Sequence, residues 1–133
     1  KGTFRTFNEK WRKEAHEKMK KLAHSICEGM GGECDFEIRE GYPFLENDPS
    51  ITKIAKTAAE KYLGKENVID LPLRMTAEDF SYFSQVSPSC FYRLGTGNKN
   101  NTQNLHTSTF DIDESALKTG MGLLSYIAIE QLS

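Results

Sequence analysis

Apolar residues recur along this chain with two different periods, and the switches between them outline its elements. Residues 2–7 alternate, with Phe4 and Thr6 set against Thr3 and Arg5 in a stretch rich in β-formers, which predicts a strand. From Asn8 the period lengthens. Trp11, Ala15, Met19, Leu22, Ala23, Ile26, Cys27 and Met30 fall on one face of a helix, with Asn8 as its N-cap and Gly31-Gly32 as its stop. Cys34, Phe36 and Ile38 then alternate with Asp35, Glu37 and Arg39, which predicts a second strand with one buried face. The opening is therefore a β-α-β unit, and two strands with one helix make too little core to stand alone.

The stretch from Gly41-Tyr42-Pro43 to Asn47-Asp48-Pro49 breaks both periods and marks a domain boundary. Asp48 caps and Pro49 opens a helix whose inner face is Ile51, Ile54, Ala55, Ala58, Ala59 and Tyr62, and Gly64 ends it. Residues 68–71 are expected to form a short buried strand. Thr76 is placed to cap a further helix running to Ser84, with Glu78 and Asp79 in its first turn, where the helix dipole favours negative charge. Residues 90–94 read as a strand, Gly95-Thr96-Gly97 interrupts it, and residues 98–104 form a polar loop that leads to His106. Asp113 caps a last helix, with Leu117, Met121, Leu124, Ile127 and Ala128 on its apolar side. Gly120 and Gly122 lower its intrinsic propensity by about 1 kcal/mol each, so close packing has to favour it.

The 133 residues suffice for a core without disulfides, and the net charge of −2 gives no global reason to expect nucleic acid or a membrane surface as partner. The longest apolar stretch, residues 123–129, is far shorter than the roughly 20 residues that span a bilayer. The first residues carry no secretion pattern, so a cytoplasmic setting is expected. Cys27, Cys34 and Cys90 show no Cys-x-x-Cys pairing and read as small buried residues. The charged face of the first helix reads as solvated surface, and His16 and His24 on it are too far apart to stack as an i, i+4 metal pair.

One concentrated polar site remains: Glu78 and Asp79 at a helix start, and His106 at the end of the loop. Two readings of it stand side by side. The carboxylates can simply complete a helix cap while His106 lies on the surface, or the three can form a site of the kind that α/β proteins build on loops after strands. One histidine makes no metal site by itself, because a catalytic zinc takes about three protein ligands.

The series Gly2-Thr3-Phe4-Arg5, Gly41-Tyr42-Pro43, Asn47-Asp48, Ala77-Glu78-Asp79-Phe80, Leu94-Gly95-Thr96-Gly97, Leu105-His106, Phe110-Asp111-Ile112-Asp113 and Gly120 resembles, in order, the C-terminal half of the aminoacylase and carboxypeptidase metallopeptidases. Its closest branch is the N-acyl-amino-acid amidohydrolases. The resemblance implies an α/β fold, with residues 1–41 as the β-α-β half of a ferredoxin-like lid and dimerisation domain and residues 42–133 as the C-terminal part of the catalytic domain. It implies an amidohydrolase that cleaves N-acyl amino acids or small peptides with two divalent metals, zinc or else manganese, cobalt or nickel. His106 matches a metal ligand, and Glu78 and Asp79 match the catalytic-site border. Arg5 matches an arginine of a lid strand, where a structural role is favoured over the alternative of recognising the substrate carboxylate. Ala77 departs from the glycine or serine common at that place. The general base, the bridging acid and the other ligands precede Lys1 in the family, so the chain alone is expected to be inactive, to pair with the missing N-terminal half, and to form a homodimer when complete. The alternative is a non-catalytic α/β interaction module. A ferredoxin-like RNA binder is disfavoured, since Phe4 and Phe36 read as core rather than as exposed stacking platforms.

Overall fold

The computed structural model describes residues 1–98 and 103–133. Its helices are α1 (Glu9–Gly29), α2 (Pro49–Leu63), α3 (Ser81–Ser84) and α4 (Ser115–Leu132), with a 3-10 turn at Lys65–Asn67 after α2. The chain divides into two compact units, one made of Lys1–Glu46 with Pro72–Ser87 and the other of Asn47–Leu71 with Pro88–Ser133.

In the first unit, α1 begins where Asn8 Oδ1 accepts the Trp11 N–H at 2.9 Å, which satisfies a backbone donor that has no partner inside the helix. It ends where Gly31, at φ 77°, turns the chain so that Gly31 and Gly32 donate to the carbonyls of Glu28 and Cys27, each at 2.9 Å. Phe4 packs on Trp11 with ring centroids 5.3 Å apart and edge-on to His16 at 6.3 Å. Glu9 and Arg12 form an ion pair in the first helical turn. Glu9 Oε1 also accepts the Phe44 N–H at 3.0 Å, and Arg12 donates to the Tyr42 carbonyl at 2.9 Å, so the Gly41-to-Phe44 segment is pinned to the start of α1. Tyr42 meets Tyr82 edge-on, and Gln85 donates to the Phe44 carbonyl at 3.0 Å, which ties α3 to the same segment.

In the second unit, α2 starts as its sequence prescribes. Asp48 Oδ1 accepts from the N–H groups of Ser50 and Ile51, each at 2.9 Å, and Pro49 occupies the first turn. Ala55 and Ala58 of α2 and Ala116 and Leu123 of α4 are its buried apolar residues, and α2 packs directly on α4. Small residues permit that approach. A Cβ on Gly120 would lie 2.8 Å from Leu94 Cδ2, and one on Gly122 would overlap the Tyr62 hydroxyl and lie 2.9 Å from its Cζ. Gly122→Ala therefore gains about 1 kcal/mol of helix propensity and forces Tyr62 off its stacking partner Tyr126, 5.6 Å away. Overpacking of this kind costs about 1–3 kcal/mol. The expected net result is a loss of about 1 kcal/mol in urea unfolding; a gain would show that Tyr62 swings aside freely.

The expected strands do not form: among the described residues the chain is helical, with no strand, so the α/β architecture with its β-α-β half is not realised in this chain. Period-two alternation reports which side chains could share a face, whereas a strand exists only when a neighbour completes its ladder. None of residues 2–7, 34–38, 68–71 and 90–94 has such a neighbour among the described residues. The expected inner faces are correspondingly open. Phe36 is 39% exposed, and Ile69, assigned to a buried strand, is 73% exposed. The helix expected from Thr76 is also shorter and later, beginning at Ser81.

Candidate functional site

Arg5, Glu78 and Asp79 belong to the first unit and His106 to the second. In the first unit the Arg5 guanidinium donates to the Met75 carbonyl and so anchors the N-terminal segment to the segment that carries the two carboxylates. Glu78 is half-buried. Its Oε1 accepts the Phe80 N–H at 3.3 Å, while its carbonyl accepts from the Ser81 N–H at 3.2 Å and the Ser81 hydroxyl at 2.6 Å. Asp79 is exposed, and its carbonyl accepts the Tyr82 N–H at 3.1 Å. Both acids thus sit in the turn just before α3 rather than inside a first helical turn. Ser81, the most deeply buried polar residue among the described residues, locks that turn.

In the second unit the loop that carries His106 is closed at its base. Asp113 N–H donates to the Thr96 carbonyl at 2.7 Å, and Asn98 donates to Asp113 Oδ2 at 2.9 Å. Residues 99–102 of the expected polar loop lie outside the described residues. Further along, the Thr107 hydroxyl donates to the Asn104 carbonyl at 2.9 Å, Phe110 N–H donates to the Thr107 carbonyl at 3.2 Å, and the Thr109 hydroxyl bonds Gln103 Oε1 at 3.1 Å. These bonds hold a turn in which His106 has φ 65°, the only positive φ outside glycine among the described residues. Left-handed backbone is costly for a residue with a Cβ, and such strain concentrates at functional positions. The imidazole is presented from an exposed turn.

Among the described residues no group of three or more His, Cys, Asp or Glu side chains is disposed to hold a metal ion. The donor set of the described residues does not by itself fit a complete divalent-metal centre, which takes about three protein ligands. No helix among the described residues is long and apolar enough to cross a membrane.

Two further residues position this machinery and carried no chemical role in the sequence reading. Asp113, read there only as a helix cap, does accept the Ser115 N–H at 3.0 Å, and it also closes the His106 loop. Asn47 grips residue 91 with both ends of its amide, Oδ1 accepting the Phe91 N–H at 2.8 Å and Nδ2 donating to the Phe91 carbonyl at 2.9 Å. The available signal was an amide side chain directly before an Asp-Pro helix start, where local capping does not require one.

The Asn98 amide, ahead of the Ser115 hydroxyl and N–H, holds the Asp113 carboxyl below its ordinary 3.8, and the Ser50 hydroxyl, ahead of the Ile51 N–H, does the same for Asp48. A depressed carboxyl stabilises the fold fully above its unfolded pKa and loses that contribution as pH falls through the folded value. The thermal midpoint of the second unit is therefore expected to fall as pH drops below 3.8, and to fall less steeply in Asp113→Asn. An equal slope in the variant would remove Asp113 from the account.

The chain is similar to the thermostable carboxypeptidase 2 of Saccharolobus solfataricus, 32% identical over 132 residues that make up 97% of this chain and 33% of that protein. It is also similar to the N-acetylcysteine deacetylase of Bacillus subtilis, 30% identical over 128 residues, 96% of this chain and 32% of that protein. The N-acetyldiaminopimelate deacetylase of Lactobacillus acidophilus is 28% identical over 132 residues, 98% of this chain and 34% of that protein. The chain spans about a third of the length of the curated relatives it matches. No solved structure matches it. The profile of peptidase family M20/M25/M40 covers residues 6–130, and the chain belongs to that hydrolase family.

Proposed function

We propose that this chain is the C-terminal part of a metal-dependent amidohydrolase that cleaves N-acyl amino acids or small peptides, and that His106 is one ligand of its divalent-metal centre. The observation that carries the reading is His106 itself, held at φ 65° in a hydroxyl-braced turn at the head of a closed loop. The names of the relatives, two N-acetyl deacetylases and a carboxypeptidase, support amide hydrolysis next to an amino-acid carboxylate. His106 would be one of the residues that hold zinc, or manganese, cobalt or nickel in its place, and the bound metal would supply Lewis-acid chemistry at the amide carbonyl.

The remaining assignments follow the motif order. Residues 1–41 are half of a lid that pairs with a second copy in a homodimer, with Arg5 in a structural role, and residues 42–133 belong to the catalytic domain, with Glu78 and Asp79 at its border. The setting is cytoplasmic. The other ligands and the general base are contributed by the two thirds of the family's length that this chain does not span, so the chain by itself has no turnover. Uncovered apolar residues support that missing complement. Leu22 and Ile26 on α1, Met30 at its C-cap, and Met121, Leu124 and Ile129 on α4 are each more than half exposed, where a finished domain buries such faces.

The test is hydrolysis of N-acetyl amino acids with added zinc, by the chain alone and after reassembly with the N-terminal two thirds of a family member. Activity only in the complex, lost in His106→Ala, supports the reading. A complex that assembles and stays inactive, or one indifferent to His106→Ala, overturns it in favour of a non-catalytic interaction module.

A further inference from the structure

Three side chains that the hydrolase reading does not use meet at the C-terminal end of α1. His24 and Cys27 are three residues apart on the helix and so share a face. The glycine turn after Met30 reverses the chain, with Gly32 N–H bonded to the Cys27 carbonyl at 2.9 Å, and brings Cys34 back beside them. Cys34 Sγ lies 3.8 Å from His24 Nδ1, on the side of the turn that His24 shares with Cys27. Both cysteines are free and half-buried, hence reachable by a small reagent, and His24 is exposed. These positions differ from the expectation of separately buried thiols.

We propose that Cys27 and Cys34 form a reversible disulfide across the turn that ends α1, made by exchange with a small disulfide such as oxidised glutathione. Thiolate attack by Cys27 on the reagent gives a mixed disulfide and releases one thiol; Cys34 then attacks Cys27 Sγ and releases the second. Two protein S–H bonds and one reagent S–S bond are thereby exchanged for one protein S–S bond and two reagent S–H bonds. The order follows from the surroundings of Cys34. The neighbouring Cys27 side chain, then burial and the Cys27, Asp35 and Glu28 charges, raise its thiol above the ordinary 9.0, which lowers its thiolate fraction for the first attack. His24 Nδ1 is placed to take its proton in the closing step. The link ties the last turn of α1 to the segment after it, in a unit where no residue of α1 is fully buried. This inference is independent of the hydrolase reading.

The experiment incubates the full chain with oxidised glutathione and follows intact mass and proteolytic peptides. The expected product is about 2 Da lighter than the reduced chain, with a reducible link mapping to Cys27 and Cys34 and with Cys90 free. In Cys34→Ser the reaction stops at a glutathione adduct on Cys27. In His24→Gln the adduct forms at the normal rate and closes about tenfold more slowly. Stable adducts on the wild-type chain, a link that uses Cys90, or only intermolecular disulfides would overturn the proposal. An unchanged closing rate in His24→Gln would remove the histidine from it.

Discussion

Replacing His106 by glycine raises the stability of the second unit by roughly 0.5–1 kcal/mol and lowers hydrolysis by the reassembled enzyme by more than about 100-fold. The two effects share a cause. At φ 65° the imidazole is carried on backbone that disfavours a Cβ, a cost of about 1–2 kcal/mol for most residues and less for histidine. Glycine relieves it, and part of the gain is offset by the larger entropy of glycine in the unfolded chain. The loss of activity follows if His106 is the direct ligand proposed above, since even residues one shell further out cost about 10–100-fold in metal affinity or activity. His106→Ala separates the two effects. It removes the same ligand and keeps the Cβ, so it should match glycine in activity and show none of its gain in thermal midpoint. A glycine variant no more stable than the alanine variant would show that the turn holds no strain. One that retains activity would show that His106 binds no metal.

What the chain discloses about itself depends on how local each determinant is. The start of α1 is readable because Asn8 bonds a backbone group only three residues on, and the start of α2 because Asp48 and Pro49 act within one turn. The packing role of Gly120 and Gly122 is readable as a contradiction, two poor helix formers in a helix, and the positions of Leu94 and Tyr62 resolve it. Strands are not readable in the same way, because alternation within residues 34–38 cannot say whether a neighbour is present. The association of Pro72–Ser87 with Lys1–Glu46 rests on contacts such as Arg5 to Met75 and Gln85 to Phe44, far apart in sequence and without any period.

The candidate site shows the same division. The polar loop and its histidine stand out by composition, and the family is recognisable from an ordered series of short motifs. The left-handed turn at His106 and the use of the Glu78 carboxylate by the Phe80 N–H depend on backbone geometry that residue types do not encode.

Asn47→Leu is expected to cost about 2 kcal/mol, because it removes two hydrogen bonds at once, each contributing about 0.5–1.5 kcal/mol. The orientation of the amide is set by its partners: the oxygen must face the Phe91 N–H and the nitrogen the Phe91 carbonyl. Together with Asp48 N–H donating to the Ser89 carbonyl at 2.8 Å, these bonds clamp the start of α2 onto the segment that leads through residues 90–94 to the His106 loop. Asn47→Asp sharpens the test. It keeps the acceptor for the Phe91 N–H and sets a carboxylate oxygen against the Phe91 carbonyl, so it should be at least as destabilising as leucine near neutral pH. Protonation below a pH of about 4 restores a donor and should narrow its gap to the wild type. Urea midpoints at the two pH values measure both effects. Changes within about 0.5 kcal/mol for Asn47→Leu, the range of an ordinary surface substitution, would mean that the clamp is incidental, and the His106 loop would then have to be positioned by the Thr96, Asn98 and Asp113 bonds at its base alone.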